Sequence, residues 1–222
     1  LSNTSLILLL LVSFLVPIQI ARARQNSANT IQIIFYDPLH NTGILKDALA
    51  AVIEYDVSEL SNTVNKNALL ISTVFDDQVN RHLQSGGRAI ILCNSLNAFP
   101  DGAPFKVRER DNKVHKPMLR IDAGPFRNLS GFENALEPKF VITNLRNEIP
   151  EDVFARADSD DQNSGPIAAM QMYAAGGRIF VTTFPLEKYV GNDYAKDMLR
   201  AIIAYTMSSN FTPKYDWHIR EE

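Results

Sequence analysis

Cys93, His40, Asp37, Asn41 and Asn94 are the side chains whose types suit chemistry and whose positions let them meet. Cys93 is the single cysteine and closes an apolar run over residues 88–93. A thiolate there needs a base or a helix terminus beside it. His40, just after the first apolar run, is the best-placed base. The pair would support nucleophilic hydrolysis or amide transfer. No local motif surrounds either residue, so the residues favour a buried thiol packing as a small hydrophobe and a solvated loop histidine. Asp37 ends the first run, and with Asn41 and Asn94 it could line a polar crevice for a hydroxyl-rich ligand or a metal. An aspartate before proline also starts turns, and Pro38 follows it.

Other chemistries are excluded more firmly. Glycoside cleavage needs two carboxylates about 5–9 Å apart across one bond. Nothing in the sequence pairs Asp76-Asp77 with the acidic run Asp158-Ser159-Asp160-Asp161. Asp76-Asp77 stands where a helix begins, and negative charge suits that helix end. The acidic run lacks the glycine and glutamate spacing of a calcium loop. His82, His115 and His218 stand apart without metal-ligand spacing. No glycine-rich phosphate loop follows the first run. No metal or cofactor is therefore expected. The 222 residues carry 22 basic and 25 acidic side chains, a formal charge of −3, which gives no global field for nucleic acid. The local basic patch Lys106, Arg108, Arg110 and Lys113 is interrupted by Glu109 and Asp111.

The elements that must position these residues read as alternating strand and helix. Near-continuous β-branched and apolar runs predict buried strands over 30–36, 68–72 and 88–93. Helical periodicity predicts helices over 44–53 and 75–84, the second ended by Gly86-Gly87. This order is that of a parallel α/β sheet. Residues 94–138 hold five prolines and no sustained period, and read as an irregular excursion with at most short strands, such as 105–109. Residues 140–142 suit a further strand, and 144–162 are polar. Runs over 167–173 and 178–184 flank a glycine turn and predict a β-hairpin. A helix over 193–207 closes the chain.

The N-terminal run LILLLLVSFLV over 6–16 is too short for a spanning helix and is followed by Ala21-Arg22-Ala23. This predicts a signal peptide over 1–23 and a single domain over 24–222, secreted or periplasmic. The alternative is a membrane anchor over 6–20. A lone cysteine fits an oxidising compartment if it is buried. Asn128-Leu129-Ser130 and Asn210-Phe211-Thr212 match glycosylation acceptors.

Gly-Gly-Arg occurs at 86–88 and again at 176–178, each time launching a strand. Gln84-Ser85-Gly86-Gly87-Arg88-Ala89-Ile90-Ile91-Leu92, with Pro166-Ile167-Ala168-Ala169-Met170-Gln171 and Gly176 to Phe184, resembles class I glutamine-amidotransferase-like domains. The resemblance is to the kind appended to some bacterial glycoside hydrolase family 2 proteins, and covers about 30–100 and 165–208. It implies a three-layer, flavodoxin-like, mainly parallel α/β sheet with a C-terminal β-hairpin and helix. That family's cysteine sits in a Gly-x-Cys-x-Gly turn. Here Leu92-Cys93-Asn94 has no glycine on either side, and no His-x-Glu pair is present. The expectation is a non-catalytic accessory or ligand-binding domain associated with carbohydrate processing. The alternatives are a small hydrolase or amidotransferase-like enzyme using Cys93, and an extracytoplasmic small-ligand-binding module. The expected partners are a carbohydrate or small polar ligand, and a catalytic glycosidase module or a second copy of the chain.

Overall fold

The computed structural model describes residues 32–39, 46, 49, 57–60, 65–96, 99, 105–110, 117–120, 122–127, 129, 137–143, 150–157, 164–186, 192–214 and 216–217. All lie in the unit Gln32–Glu222. The expected leader or anchor, the acidic run 158–161, and His40, Asn41, His115 and His218 lie outside them.

The strands are β1 (Ile33–Tyr36), β2 (Val57–Glu59), β3 (Leu69–Ser72), β4 (Arg88–Leu92), β5 (Lys106–Glu109), β6 (Pro117–Leu119), β7 (Phe140–Thr143), β8 (Val153–Ala157), β9 (Gly165–Tyr173), β10 (Arg178–Thr182) and β11 (Asp216–Trp217). The helices are α1 (Asp77–Gln84) and α2 (Asp193–Met207). Lys46 and Leu49 are helical, and the rest of the helix expected over 44–53 lies outside the described residues.

One nine-stranded sheet runs in the order β2-β1-β3-β4-β10-β9-β8-β6, with β11 added to β9, while β5 and β7 form a separate pair. From β2 to β10 every pairing is parallel. From β10 onward β9, β8 and β6 pair antiparallel. The sheet is therefore mixed rather than mainly parallel. The physical reason is the connection: β9 returns as β10 through a glycine turn, and only a helical crossover would have kept them parallel. The expected hairpin is present, but it is the start of an antiparallel half that β8 and β6 complete.

Side-chain alternation divides the core. Ile33, Phe35, Leu69, Ile71, Ile90, Leu92 and Phe180 face one way and pack with Met198, Leu199 and Ile202 of α2. Ile34, Leu70, Ala89, Ile91, Cys93 and Val181 face the other way and pack with Val79 and Leu83 of α1. Strands buried on both faces are why the runs read as continuously apolar.

Local chemistry sets the helix ends. The Asp76 carboxylate accepts from the backbone N–H groups of Gln78 (2.9 Å) and Val79 (3.2 Å) and starts α1. Asn192 does the same for α2 by accepting from Ala195 N–H at 3.1 Å. Both glycine doublets act alike. Gly86 and Gly176 take positive φ of 87° and 81°. Gly87 and Gly177 lie where a Cβ would strike the His82 ring and the Leu83 carbonyl oxygen, respectively.

The end of α2 reaches the start of β4, because the Arg88 guanidinium donates to the Thr206 and Ser208 carbonyls at 2.8 and 3.2 Å. Fifteen helical residues span about 22 Å, longer than a five-residue strand at about 16 Å. The start of α2 therefore lies at the carboxyl ends of the parallel strands. The start of α1 lies there too, since Asp76 follows β3 by four residues.

Candidate functional site

The chain leaves β1 for β2 on one side and places β3 on the other. Such a reversal opens a crevice beyond the carboxyl ends of the strands, where open α/β sheets bind ligands. Asp37 follows β1 and Thr73 follows β3. The Thr73 hydroxyl donates to Asp37 Oδ1 at 2.7 Å, bridging the two strands across the reversal. Thr73 is fully buried, and its backbone N–H donates to the Tyr36 carbonyl at 3.2 Å. The pair fixes the carboxylate in place.

Tyr36 sits beside them. Its hydroxyl donates to Asp76 Oδ2 at 2.7 Å, while Asp76 Oδ1 caps α1. Burial, and then the hydrogen bond to and charge of Asp76, push the Tyr36 phenol up to about 12. Ser72 closes the next turn, donating to the Val74 carbonyl and accepting from its N–H.

Asn94 follows β4, the neighbour of β3. It is partly buried, and its Oδ1 is shut from solvent with no protein hydrogen-bond partner. Leaving such a group unpaired costs about 1–3 kcal/mol, so the position is not optimised for stability. Leu39 and Leu96, two residues beyond Asp37 and Asn94, are about half exposed (48% and 49%). The rim thus combines fixed oxygen acceptors with exposed apolar side chains.

Cys93 does not join this set. It is 1% exposed and packs in the α1-side core. Its Sγ lies 4.0 Å from the Ile91 carbonyl, and its N–H donates to the Thr182 carbonyl at 2.8 Å. Burial raises the thiol well above its ordinary value, so it stays protonated. Its expected partner His40, like Asn41, lies outside the described residues. His82 is at the opposite end of β4, where its Nε2–H donates to the Arg88 carbonyl at 3.0 Å. Among the described residues no group of His, Cys, Asp and Glu is arranged to hold a metal ion. Asp76-Asp77 opens α1, as its composition suggests.

Thr73 and Tyr36 were not identified as site residues from the sequence. The available signal was position: the residues at and just after each buried strand supply the rim. A second concavity, of about 570 Å³, lies on the antiparallel half between β6 and β8. It went unrecognised with those strands.

No helix among the described residues is long and apolar enough to cross a membrane. No family model matches the sequence, and no curated protein sequence matches it. Among solved structures, one match is the exo-beta-1,4-mannosidase Op5Man5 from Opitutaceae bacterium strain TAV5, at 9% identity and a TM-score of 0.43. The match covers 89% of this chain but 39% of the mannosidase, so the chain spans about two fifths of that protein's length.

Proposed function

We propose that this chain is a non-catalytic accessory domain that holds a hydroxyl-rich small ligand at its carboxyl rim, within a carbohydrate-processing system. Its design is three-layer and flavodoxin-like. The strand order β2-β1-β3-β4-β10 supports this, since it matches the flavodoxin-like order in its parallel half. The amidotransferase-like stretches at 84–92 and 166–184 supply the carbohydrate context, and the apolar run over 6–16 supplies an exported location.

The observation that carries the ligand reading is the Asp37–Thr73 bridge at the strand reversal. A carboxylate held at the carboxyl ends of two neighbouring strands is a fixed acceptor of the kind that ligand hydroxyls donate to. Chemistry through Cys93 gains no support, because a buried, protonated thiol without a local motif is a poor nucleophile. The test is thermal unfolding of the full chain against a panel of neutral mono- and disaccharides. A binding sugar raises the midpoint, by about 2.7 kcal/mol of stability at a hundredfold excess over Kd. Asp37→Asn, which keeps an oxygen for Thr73, weakens that response. A flat response to every sugar contradicts the reading.

A further inference from the structure

We propose that the rim selects sugars carrying an acetamido group and that Asn94 is the residue that reads it, an inference that rests on the rim being the ligand site. Side-chain alternation fixes where Asn94 stands. Leu92 packs on the α2 side of the sheet and Cys93 on the α1 side. The Cys93 N–H still pairs with the Thr182 carbonyl at 2.8 Å, so the extended chain continues past the end of β4. Asn94 therefore returns to the α2 side. Phe35 and Ile71 pack on that side too, and Asp37 and Thr73, each two residues on, share it. Asn94 thus stands on the same face of the rim as the Asp37–Thr73 bridge. Two strand spacings separate it from Asp37, about 10 Å, a distance that one sugar ring with a substituent spans.

The oxygen of Asn94 sets the chemistry of that substituent. Its Oδ1 is shut from solvent and accepts no hydrogen bond from the protein, although the side chain as a whole is only partly buried. The terminal torsion of an asparagine is soft, and rotation about it turns this oxygen to the rim surface. An amide oxygen accepts and does not donate, so it requires an N–H or O–H from the ligand.

Leu96, two residues beyond Asn94, is 49% exposed, and Leu39, beyond β1, is 48% exposed. They add an apolar requirement beside the acceptor. A bare hydroxyl meets only the first requirement. A trans acetamido group meets both, because its N–H and its methyl lie on the same side of the C–N bond.

The experiment is calorimetric titration of the full chain with N-acetylglucosamine, N-acetylgalactosamine and N-acetylmannosamine, each against its parent hexose. At least one acetamido sugar binds about tenfold more tightly than its parent, the scale of one well-fitted methyl group. Asn94→Leu and Asn94→Ala, the second removing the acceptor without added bulk, bring that pair to equal affinity. Equal binding within every pair of the unaltered chain overturns the proposal. So does a preference that survives in the variants, or a loss of both sugars alike, which would make Asn94 a residue of the fold. Where hexoses bind without any acetamido preference, the rim reading stands and this proposal alone falls; a chain that binds no sugar at all removes both.

Discussion

Arg88 and Arg178 stand directly opposite each other at the start of neighbouring parallel strands. Like charges so placed repel. Both guanidinium groups nonetheless turn to the same target, the backbone at and just beyond the carboxyl end of α2. Arg88 donates to the Thr206 and Ser208 carbonyls, and Arg178 to the Phe211 carbonyl at 2.7 Å. α2 has no basic residue in its own last turn. The two arginines supply the positive charge that its carbonyl end favours, from the sheet rather than from the helix. Burial, and then the charge of Arg178, lower the Arg88 pKa from its ordinary value. The repeated Gly-Gly-Arg is thus a structural unit: a turn, a close approach and a clamp.

Replacing Arg88 tests the clamp. Arg88→Gln removes charge-assisted hydrogen bonds to two carbonyls and lowers stability by about 1.5–3 kcal/mol. Urea unfolding reads this directly. A change under about 0.5 kcal/mol, the size of an ordinary surface substitution, would mean that α2 is held by its apolar face alone.

The two glycines of the second doublet differ in kind. Gly176 has positive φ and open space around its Cβ position, so Gly176→Ala costs only the left-handed conformation, about 1–2 kcal/mol. At Gly177 a Cβ would meet the Leu83 backbone carbonyl, which has no rotamer to yield. Gly177→Ala therefore costs more, about 2–4 kcal/mol. Thermal midpoints of the two variants side by side decide the order, and the reverse order refutes the close approach between β10 and α1.

His82 makes the fold sensitive to acid. It is 1% exposed, its Nε2–H is committed to Arg88, and its Nδ1 has no protein partner. Burial lowers its pKa below the ordinary 6.5, the backbone bond opposing only in part. Below 6.5 the unfolded chain takes up a proton that the folded chain refuses. This contribution to stability is full above that value and is lost as pH falls toward the folded pKa. The midpoint of urea unfolding drops between about pH 7.5 and pH 5, and drops less in His82→Gln. Equal slopes for the two proteins would show that His82 is not the group responsible.

Cys93 provides a separate test. In the native chain, iodoacetamide labels it only when the core opens, so labelling is at least about a hundredfold slower than in urea. Native labelling at the rate of a free thiol would return Cys93 to the list of nucleophiles.

How far the sequence could be read followed from pattern length. Ile33-Ile34-Phe35, Leu69-Leu70-Ile71 and Ala89-Ile90-Ile91-Leu92 are buried on both faces, and continuous apolar runs declare that plainly. α2 was legible through Met198, Leu199, Ile202 and Ile203 at helical spacing. Val57-Ser58-Glu59 and Pro117-Met118-Leu119 are three-residue strands, too short to show a period. In β8 the pairing with β9 slips twice, between Val153 and Ala155 and between Ala155 and Arg156, so Val153 to Ala157 lacks clean alternation. Of these strands β6 and β8 belong to the antiparallel half, and the groove vanished with them, while β2 adds to the parallel edge. At the rim, Asp37 and Asn94 were named because each follows a buried run. Thr73 and Tyr36 look like ordinary strand residues until the Asp37 and Asp76 contacts are seen.

The most direct test of the rim as the ligand site is amide hydrogen exchange with and without a saturating sugar from the neutral panel. Exchange slows at Asp37, Leu39, Thr73, Val74 and Asn94 to Leu96 if the sugar sits at the rim, with Arg120 and Phe154 to Arg156 unchanged. Protection confined to the β6–β8 groove, or no protection anywhere, contradicts that placement.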